Sequence, residues 1–324
     1  MNITIITPAP PGSRKGNRIT ARRWASLLRG LGHRVAIRQE YRGERCDVLV
    51  ALHARRSAAA VQDFRRIHSG RPIVIALTGT DLYDEIHTDP IALQALEWAS
   101  RLVVLQPLGI AELPSHLQER TRVIYQSAEA PPVRRKTQAR RRRLFEVCVL
   151  GHLRPVKDPF RAALASRLLP PSSCLRVLHI GSALSPDMAE RARSEAAENP
   201  RYRWLGDLPR WKALRALTRS RLLVLTSLME GGANVISEAI AAGVPVLSSH
   251  IPGSVGLLGA DYLGYFPAGD TRALADLLHR AETDTGFYKK LTSSCRRLRP
   301  LVRPARERQS WRRLLQDLTV SHDS

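Results

Sequence analysis

The sequence predicts an α/β fold built from two doubly wound, Rossmann-like domains in tandem. Three observations carry this. Apolar, β-rich runs alternate with stretches of helical periodicity in the first half. The same alternation restarts after a basic break near the middle. The chain has 324 residues, enough for two domains of ordinary size. Strands that alternate with helices form parallel sheets covered on both faces. A cleft between the two domains is expected, because ligands in such sheets bind beyond the carboxyl ends of the strands.

In the first half the strand candidates are Asn2–Thr7, Arg34–Ile37, Asp47–Leu52, Pro72–Thr78, Leu102–Leu105 and Thr121–Tyr125. Helical patterns lie at Thr20–Leu31, with Trp24, Leu27, Leu28 and Leu31 on one face, and at Ile91–Ala99. The period then vanishes. Residues 131–143 run from Pro131-Pro132 into Arg140-Arg141-Arg142-Arg143 and are expected to be an exposed linker, with a localisation signal as the alternative.

The second half offers strands at Phe145–Leu150, Leu175–Ile180, Tyr202–Leu205, Leu222–Leu225, Pro245–Ser248 and Leu263–Phe266. Helices are expected at Pro159–Leu168, Asp187–Ala197, Trp211–Thr218, Asn234–Ala242 and Thr271–Ala281. The expected domains are therefore 1–130 and 144–304. A helix at 305–320, with Trp311, Leu314, Leu315 and Leu318 on its apolar face, is expected to cross back onto the first domain.

Composition narrows the function. Hydrophobic content of 44% supports packed cores. No apolar run reaches the ~20 residues of a membrane span, and Met1–Thr7 reads as a strand and not as a signal peptide, so a cytoplasmic protein is expected. Cys46, Cys148, Cys174 and Cys295 show no metal-ligand spacing and read as small buried thiols. No Asp-x-Asp pattern offers a divalent-metal site. The net charge of +22 raises the question of nucleic acid. The arginines are spread along the whole chain and no recognition motif accompanies them, so no specific nucleic-acid partner is expected. The charge instead suits a field that gathers anionic substrates.

The segment with most chemical content is Met229-Glu230-Gly231-Gly232-Ala233-Asn234 through Glu238 to Gly243-Val244-Pro245. A strand, a glycine turn and a helix start together make an anion site, because helix N–H groups and the dipole point outward there. Glu230 stands at the rim. Glu238 lies about two turns into the helix, where its oxygens suit sugar hydroxyls. A nucleotide-sugar needs both features. Earlier, Gly151-His152-Leu153-Arg154-Pro155-Val156-Lys157 follows a strand, with Arg154 and Lys157 able to clamp a diphosphate. The plain alternative is a solvated basic loop.

In the first half, Gly12, Arg14, Lys15, Gly16, Asn17 and Arg18 follow the first strand. Three cations there suit a small anionic acceptor, or else form a mobile basic loop. Thr78-Gly79-Thr80-Asp81 ends another strand. Asp81 is open to two readings, orienting an acceptor or capping the following helix. His53 sits just past a strand and reads as structural.

The Glu-x7-Glu segment with Gly243-Val244-Pro245-Val246, the Gly151…Arg154/Lys157 loop, and Gly32-His33-Arg34-Val35 resemble the family 4 glycosyltransferases of GT-B architecture. The resemblance implies that Glu238 holds the nucleotide ribose. It implies that Glu230 and the amides of Gly231, Gly232, Ala233 and Asn234 meet the donor sugar and phosphate, that Lys157 stabilises the departing diphosphate, and that no metal or other cofactor is required. His152 departs from the pattern, which places Arg directly after the glycine.

Thr7-Pro8-Ala9-Pro10-Pro11-Gly12-Ser13-Arg14-Lys15-Gly16-Asn17-Arg18-Ile19-Thr20-Ala21-Arg22-Arg23-Trp24, Leu77-Thr78-Gly79-Thr80-Asp81-Leu82-Tyr83 and Gly151–Pro159, with the compact length, further resemble the selenosugar synthases of selenoneine biosynthesis. That resemblance implies a UDP-sugar donor, UDP-N-acetylglucosamine foremost, and selenophosphate as acceptor. The product is a 1-selenosugar, with a functional link to enzymes that supply selenophosphate and use selenosugars. The alternative is an ordinary family 4-like enzyme acting on a carbohydrate or lipid.

Overall fold

The computed structural model describes residues 1–129 and 144–320, so the expected linker at 131–143 lies outside the described residues. Two compact units emerge. The first comprises Met1–Ser127, Glu230–Asn234 and the C-terminal segment from Arg303; the second comprises Ala128–Met229 and Val235–Val302.

The first unit holds a parallel sheet of β1 (Asn2–Ile6), β2 (Arg34–Arg38), β3 (Val48–Leu52), β4 (Ile73–Ala76), β5 (Arg101–Val104) and β6 (Thr121–Val123), in the order β2-β1-β3-β4-β5-β6. β3 and β4 are buried at every position, as strands covered on both faces must be. Alternation sorts their side chains between two cores. Val48, Val50 and Leu52 join Trp24, Leu28 and Trp311 on one face. Leu49 and Ala51 join Phe64 and Leu96 on the other.

Helix Pro304–Val320 inserts Trp311, Leu314, Leu315 and Leu318 into the first of these cores. The Trp24 and Trp311 rings meet edge to face at 4.8 Å.

The second unit holds β7 (Phe145–Leu150), β8 (Leu175–Ile180), β9 (Tyr202–Trp204), β10 (Leu222–Leu225), β11 (Val246–Ser249) and β12 (Tyr265–Phe266), in the order β12-β11-β10-β7-β8-β9. Its pairs are also parallel. The strand order reverses between β7 and β10, and the crevice beyond their carboxyl ends is where such sheets bind ligands.

Several boundaries differ from expectation. Helix Gly16–Arg29 begins a turn earlier than expected. Gly12, with φ of 81°, is the last left-handed residue of the preceding loop, and nothing after it breaks a helix. Gly16, Asn17 and Arg18 therefore form a helical turn and not a loop. The expected helix at Ile91 starts at Pro90, with Asp89 accepting from the Ile91 and Ala92 amides. Helices Pro252–Leu258 and Thr285–Arg297 add to the expected set, the latter capped by Asp284 on the Phe287 amide. Strand Leu263–Phe266 shrinks to β12. Three cysteines are buried as expected, but Cys174 is exposed in the turn before β8.

Candidate active site

Within the second unit, the loop that leaves β7 is held from three sides. Gly151 donates to the Ile180 carbonyl at 3.0 Å. Its own carbonyl accepts from His179 Nε2 at 3.1 Å. Because a carbonyl only accepts, the proton sits on Nε2, and Nδ1 then accepts from the Tyr202 hydroxyl at 3.0 Å. Burial pushes the His179 pKa down to about 4, against the raising effect of the Gly151 bond, so the ring is neutral at pH 7. Gly181 must lack a side chain, since a Cβ there would run into the Gly151 carbonyl. Around Gly151 itself a Cβ would meet nothing within 4 Å.

His152 is steered by Ser182, whose amide donates to Nδ1 at 3.3 Å and whose hydroxyl lies 2.7 Å away. Arg154 precedes the short turn Pro155–Lys157, and Asp158 closes it in the left-handed region, bonded to Arg161 at 2.6 Å.

The same loop is tied across the reversal in strand order. The Thr226 hydroxyl, just past β10, donates to the Lys157 and Asp158 carbonyls, each at 2.9 Å. The Leu228 amide donates to the Val156 carbonyl at 2.9 Å. These bonds set the backbone that carries Arg154 and Lys157 relative to the end of β10.

Helix Asn234–Ala242 carries Glu238, which is 6% exposed. Arg210 reaches its carboxylate at 2.5 Å. The neighbouring Cys148 thiol is pushed up to about 12, first by burial, with Glu146 and Glu238 adding to it, and is an inert core group. The helix ends at Gly243, which takes a φ of 75°.

Within the first unit, the turn at Glu230–Asn234 lies against the ends of β4 and β5. A Cβ on Gly231 would sit 2.7 Å from the Thr78 carbonyl carbon and 2.8 Å from the Gly79 nitrogen. One on Gly232 would sit 2.6 Å from the Leu105 Cβ. These glycines are needed for close backbone packing. The half-buried Glu230 faces Tyr83 electrostatically: burial first and then Glu112 raise the phenol pKa, and Glu230 pushes the same way.

Asp81 corrects the sequence reading. It is 0% exposed and accepts from the amides of Ala54 at 3.1 Å, Thr78 at 3.0 Å and Gly79 at 2.8 Å. Its carboxylate therefore shapes the Thr78-Gly79 turn from inside, and the amides it binds precede the following helix and do not open it. His53 is buried under that turn, 3.4 Å from the Thr80 hydroxyl and 3.6 Å from Glu85.

The Asn234 side chain is also committed. Oδ1 accepts from Arg23 at 2.7 Å and Nδ2 donates to the Thr20 hydroxyl at 3.3 Å. The Gly16 position lies 4.0 Å from Asn234 Nδ2 at the start of helix Gly16–Arg29. That helix start has no side-chain cap at Lys15 and no acid in its first turn. Burial and the adjacent Arg22 lower the Arg18 pKa, and its Nε has no hydrogen-bond partner.

Sequence reasoning missed Thr226, Arg210, Arg23, Gln126 and Glu307. Glu307 left a trace: it is the acid one and two turns before Trp311 and Leu314, on the apolar side of a helix whose other face is arginine-rich. No group of three or more His, Cys, Asp or Glu among the described residues is arranged to hold a metal ion. None of the described helices is long and apolar enough to cross a membrane.

Residues 133–297 match the model of the glycosyl transferases group 1 family. The chain belongs to that family. Comparison with curated proteins finds no match. Among solved structures, the sucrose-phosphate synthase of Thermosynechococcus elongatus superposes with a TM-score of 0.81 at 16% identity, covering 99% of each chain. HepE of Anabaena, in complex with UDP and glucose, gives 0.77 at 17% identity, over 98% of this chain and 100% of that one. A glycosyltransferase from Rickettsia africae gives 0.73 at 13% identity over 98% of each. The two six-stranded parallel sheets of this glycosyltransferase thus have the GT-B architecture.

Proposed function

We propose that this glycosyltransferase takes the sugar of a UDP-sugar, UDP-N-acetylglucosamine foremost, and joins its anomeric carbon to the selenium of selenophosphate. The bond from the sugar to the diphosphate breaks and a carbon–selenium bond forms. Water then cleaves the selenium–phosphorus bond, so the products are UDP, phosphate and a 1-selenosugar. The UDP bound to the HepE structure supports a UDP donor. Glu238, almost buried and about one turn into its helix, suits the ribose hydroxyls once Arg210 moves aside. Arg154 and Lys157 supply cations for the diphosphate, together with the dipole of helix Asn234–Ala242. An anionic selenium nucleophile needs little help from a general base.

The observation that carries the anionic acceptor is the start of helix Gly16–Arg29. It lacks a cap and a first-turn acid, yet it gathers Arg14, Lys15 and Arg18, and the Arg18 charge is already unsettled by burial first and by Arg22 second. An anion there would relieve that repulsion. The test is mass spectrometry of products from a panel of UDP-sugars offered selenophosphate, sugar or lipid acceptors. A 1-selenosugar is expected. Transfer to sugar or lipid with no selenium product would establish an ordinary family 4-like activity instead.

A further inference from the structure

The C-terminal helix delivers one carboxylate deep into the first unit. Glu307 is 1% exposed, and its oxygens accept from Arg23 Nε at 3.0 Å, Trp24 Nε1 at 2.7 Å, the Ser127 amide at 2.9 Å and the Ser127 hydroxyl. Arg23, held at its Nε, spreads its two remaining nitrogens. Nη1 donates to Asn234 Oδ1 at 2.7 Å, and Nη2 donates to Gln126 Oε1 at 2.8 Å. Gln126 in turn donates from Nε2 to the Gly232 carbonyl at 3.0 Å. The Thr20 hydroxyl closes the ring, donating to Gln126 at 3.2 Å and accepting from Asn234 at 3.3 Å. Three separate segments thus meet on one guanidinium carried by a fourth.

Each link has its directional groups satisfied, which is what makes a buried polar network rigid. A planar guanidinium suits the task because its donors form a fixed fork, whereas an ammonium would be a single rotating point. The turn at Gly231–Asn234 has little side-chain bulk to define it. It is gripped from outside at both ends, at the Gly232 carbonyl and the Asn234 side chain. With that carbonyl and that side chain turned toward Gln126 and Arg23, the orientation of the peptide groups that open helix Asn234–Ala242 is set by Arg23 and Glu307.

We infer that Arg23 is a positioning residue for sugar transfer, and that Glu307 acts through it: together they fix the glycine turn whose helix start receives the donor diphosphate. The role at the diphosphate rests on the function proposed above, but the fixing of the turn does not.

The experiment has two arms that separate these. Hydrogen exchange by mass spectrometry on Arg23→Ala should show amide exchange in the peptide spanning Met229–Val235 at least tenfold faster than wild type, with β4 unchanged. Turnover is read as UDP release from UDP-N-acetylglucosamine, with and without selenophosphate. It should fall about 10- to 100-fold in kcat, the scale of a misplaced reacting geometry, while KM moves less than threefold. Millimolar guanidinium should restore part of the kcat, which a loss of folded protein would not allow.

Arg23→Ala leaves the Glu307 charge buried. Should it not fold, Arg23→Met with Glu307→Gln removes both charges and is expected to show the same two effects. Arg23→Lys should fall between this pair and wild type. Wild-type exchange at Met229–Val235 in the folded variants would overturn the inference outright. Faster exchange with unchanged kcat would leave Arg23 a purely structural residue. If the wild-type enzyme releases no UDP from any UDP-sugar, the proposed function fails, and the exchange arm still decides the role of Arg23.

Discussion

The glycines of the two loops divide by what surrounds them, and a pair of alanine substitutions exposes the division. At Gly231 an added Cβ meets the Thr78 carbonyl carbon at 2.7 Å, the Gly79 nitrogen at 2.8 Å and the Thr78 oxygen at 2.8 Å. All three are backbone atoms and cannot swing away. Moreover, that stretch of backbone is locked from behind by Asp81. Relief therefore requires a shift of the turn itself. Overpacking of this kind costs about 1–3 kcal/mol. At about 2–4 °C per kcal/mol for a domain of 150–250 residues, Gly231→Ala should lower the melting temperature by roughly 2–12 °C.

Gly151→Ala should behave in the opposite way. Its Cβ meets nothing within 4 Å and its φ is not in the left-handed region. Restricting the unfolded chain should leave stability unchanged or raise it by about 0.4–1 kcal/mol. The methyl would instead fill the space in front of the loop that carries His152, Arg154 and Lys157. UDP affinity measured by calorimetry should drop at least tenfold. Differential scanning calorimetry and UDP titration on both variants complete the comparison. A Gly231→Ala protein that melts with wild type, or a Gly151→Ala protein that loses stability while binding UDP normally, would refute this division.

Other outcomes follow from the same geometry. Glu238→Ala should abolish measurable UDP binding, and Lys157→Ala should depress kcat for UDP release more than it raises KM; near-wild-type kinetics in both would remove the donor-site assignment. His179 has a folded pKa of about 4 against an ordinary value of 6.5, so between these the unfolded chain binds more protons. Its contribution of about 3 kcal/mol is complete above pH 6.5 and lost as the pH falls toward 4. Urea midpoints at pH 7.5 and pH 5 should therefore diverge in wild type and converge in His179→Gln. A thiol reagent under native conditions should modify Cys174 first, leaving buried Cys46, Cys148 and Cys295 for the denatured state; fast labelling of Cys148, whose thiol pKa is pushed up to about 12, would contradict its burial.

Much of the molecule was legible from local pattern. Strand and helix periods repeat because each element must bury one stripe or both faces, and that demand is written residue by residue. The glycine turn before Asn234, the cations after β7 and the placement of Glu238 in a helix are also local properties. So are the apolar positions of the last helix, which the Trp24–Trp311 contact bears out.

Other features were invisible because they depend on partners far away in the chain. Asp81 was open to two readings, an acceptor contact or a helix cap, and the three amides around it place it inside the turn instead. Gly231 and Gly232 read as a turn that presents its amides, and their contact with Thr78, Gly79 and Leu105 could not be seen in the sequence. Arg23 was one arginine among many on a chain of charge +22. Its importance comes from Glu307, 284 positions later, and from Gln126 and Asn234. Sequence alone determined which segments fold and where cations and helix starts gather, since propensity, burial pattern and charge act over a few residues. Only the tertiary structure decided which polar groups face inward and which hold others in place, because a hydrogen bond needs a partner at about 3 Å, and chain distance says nothing about that.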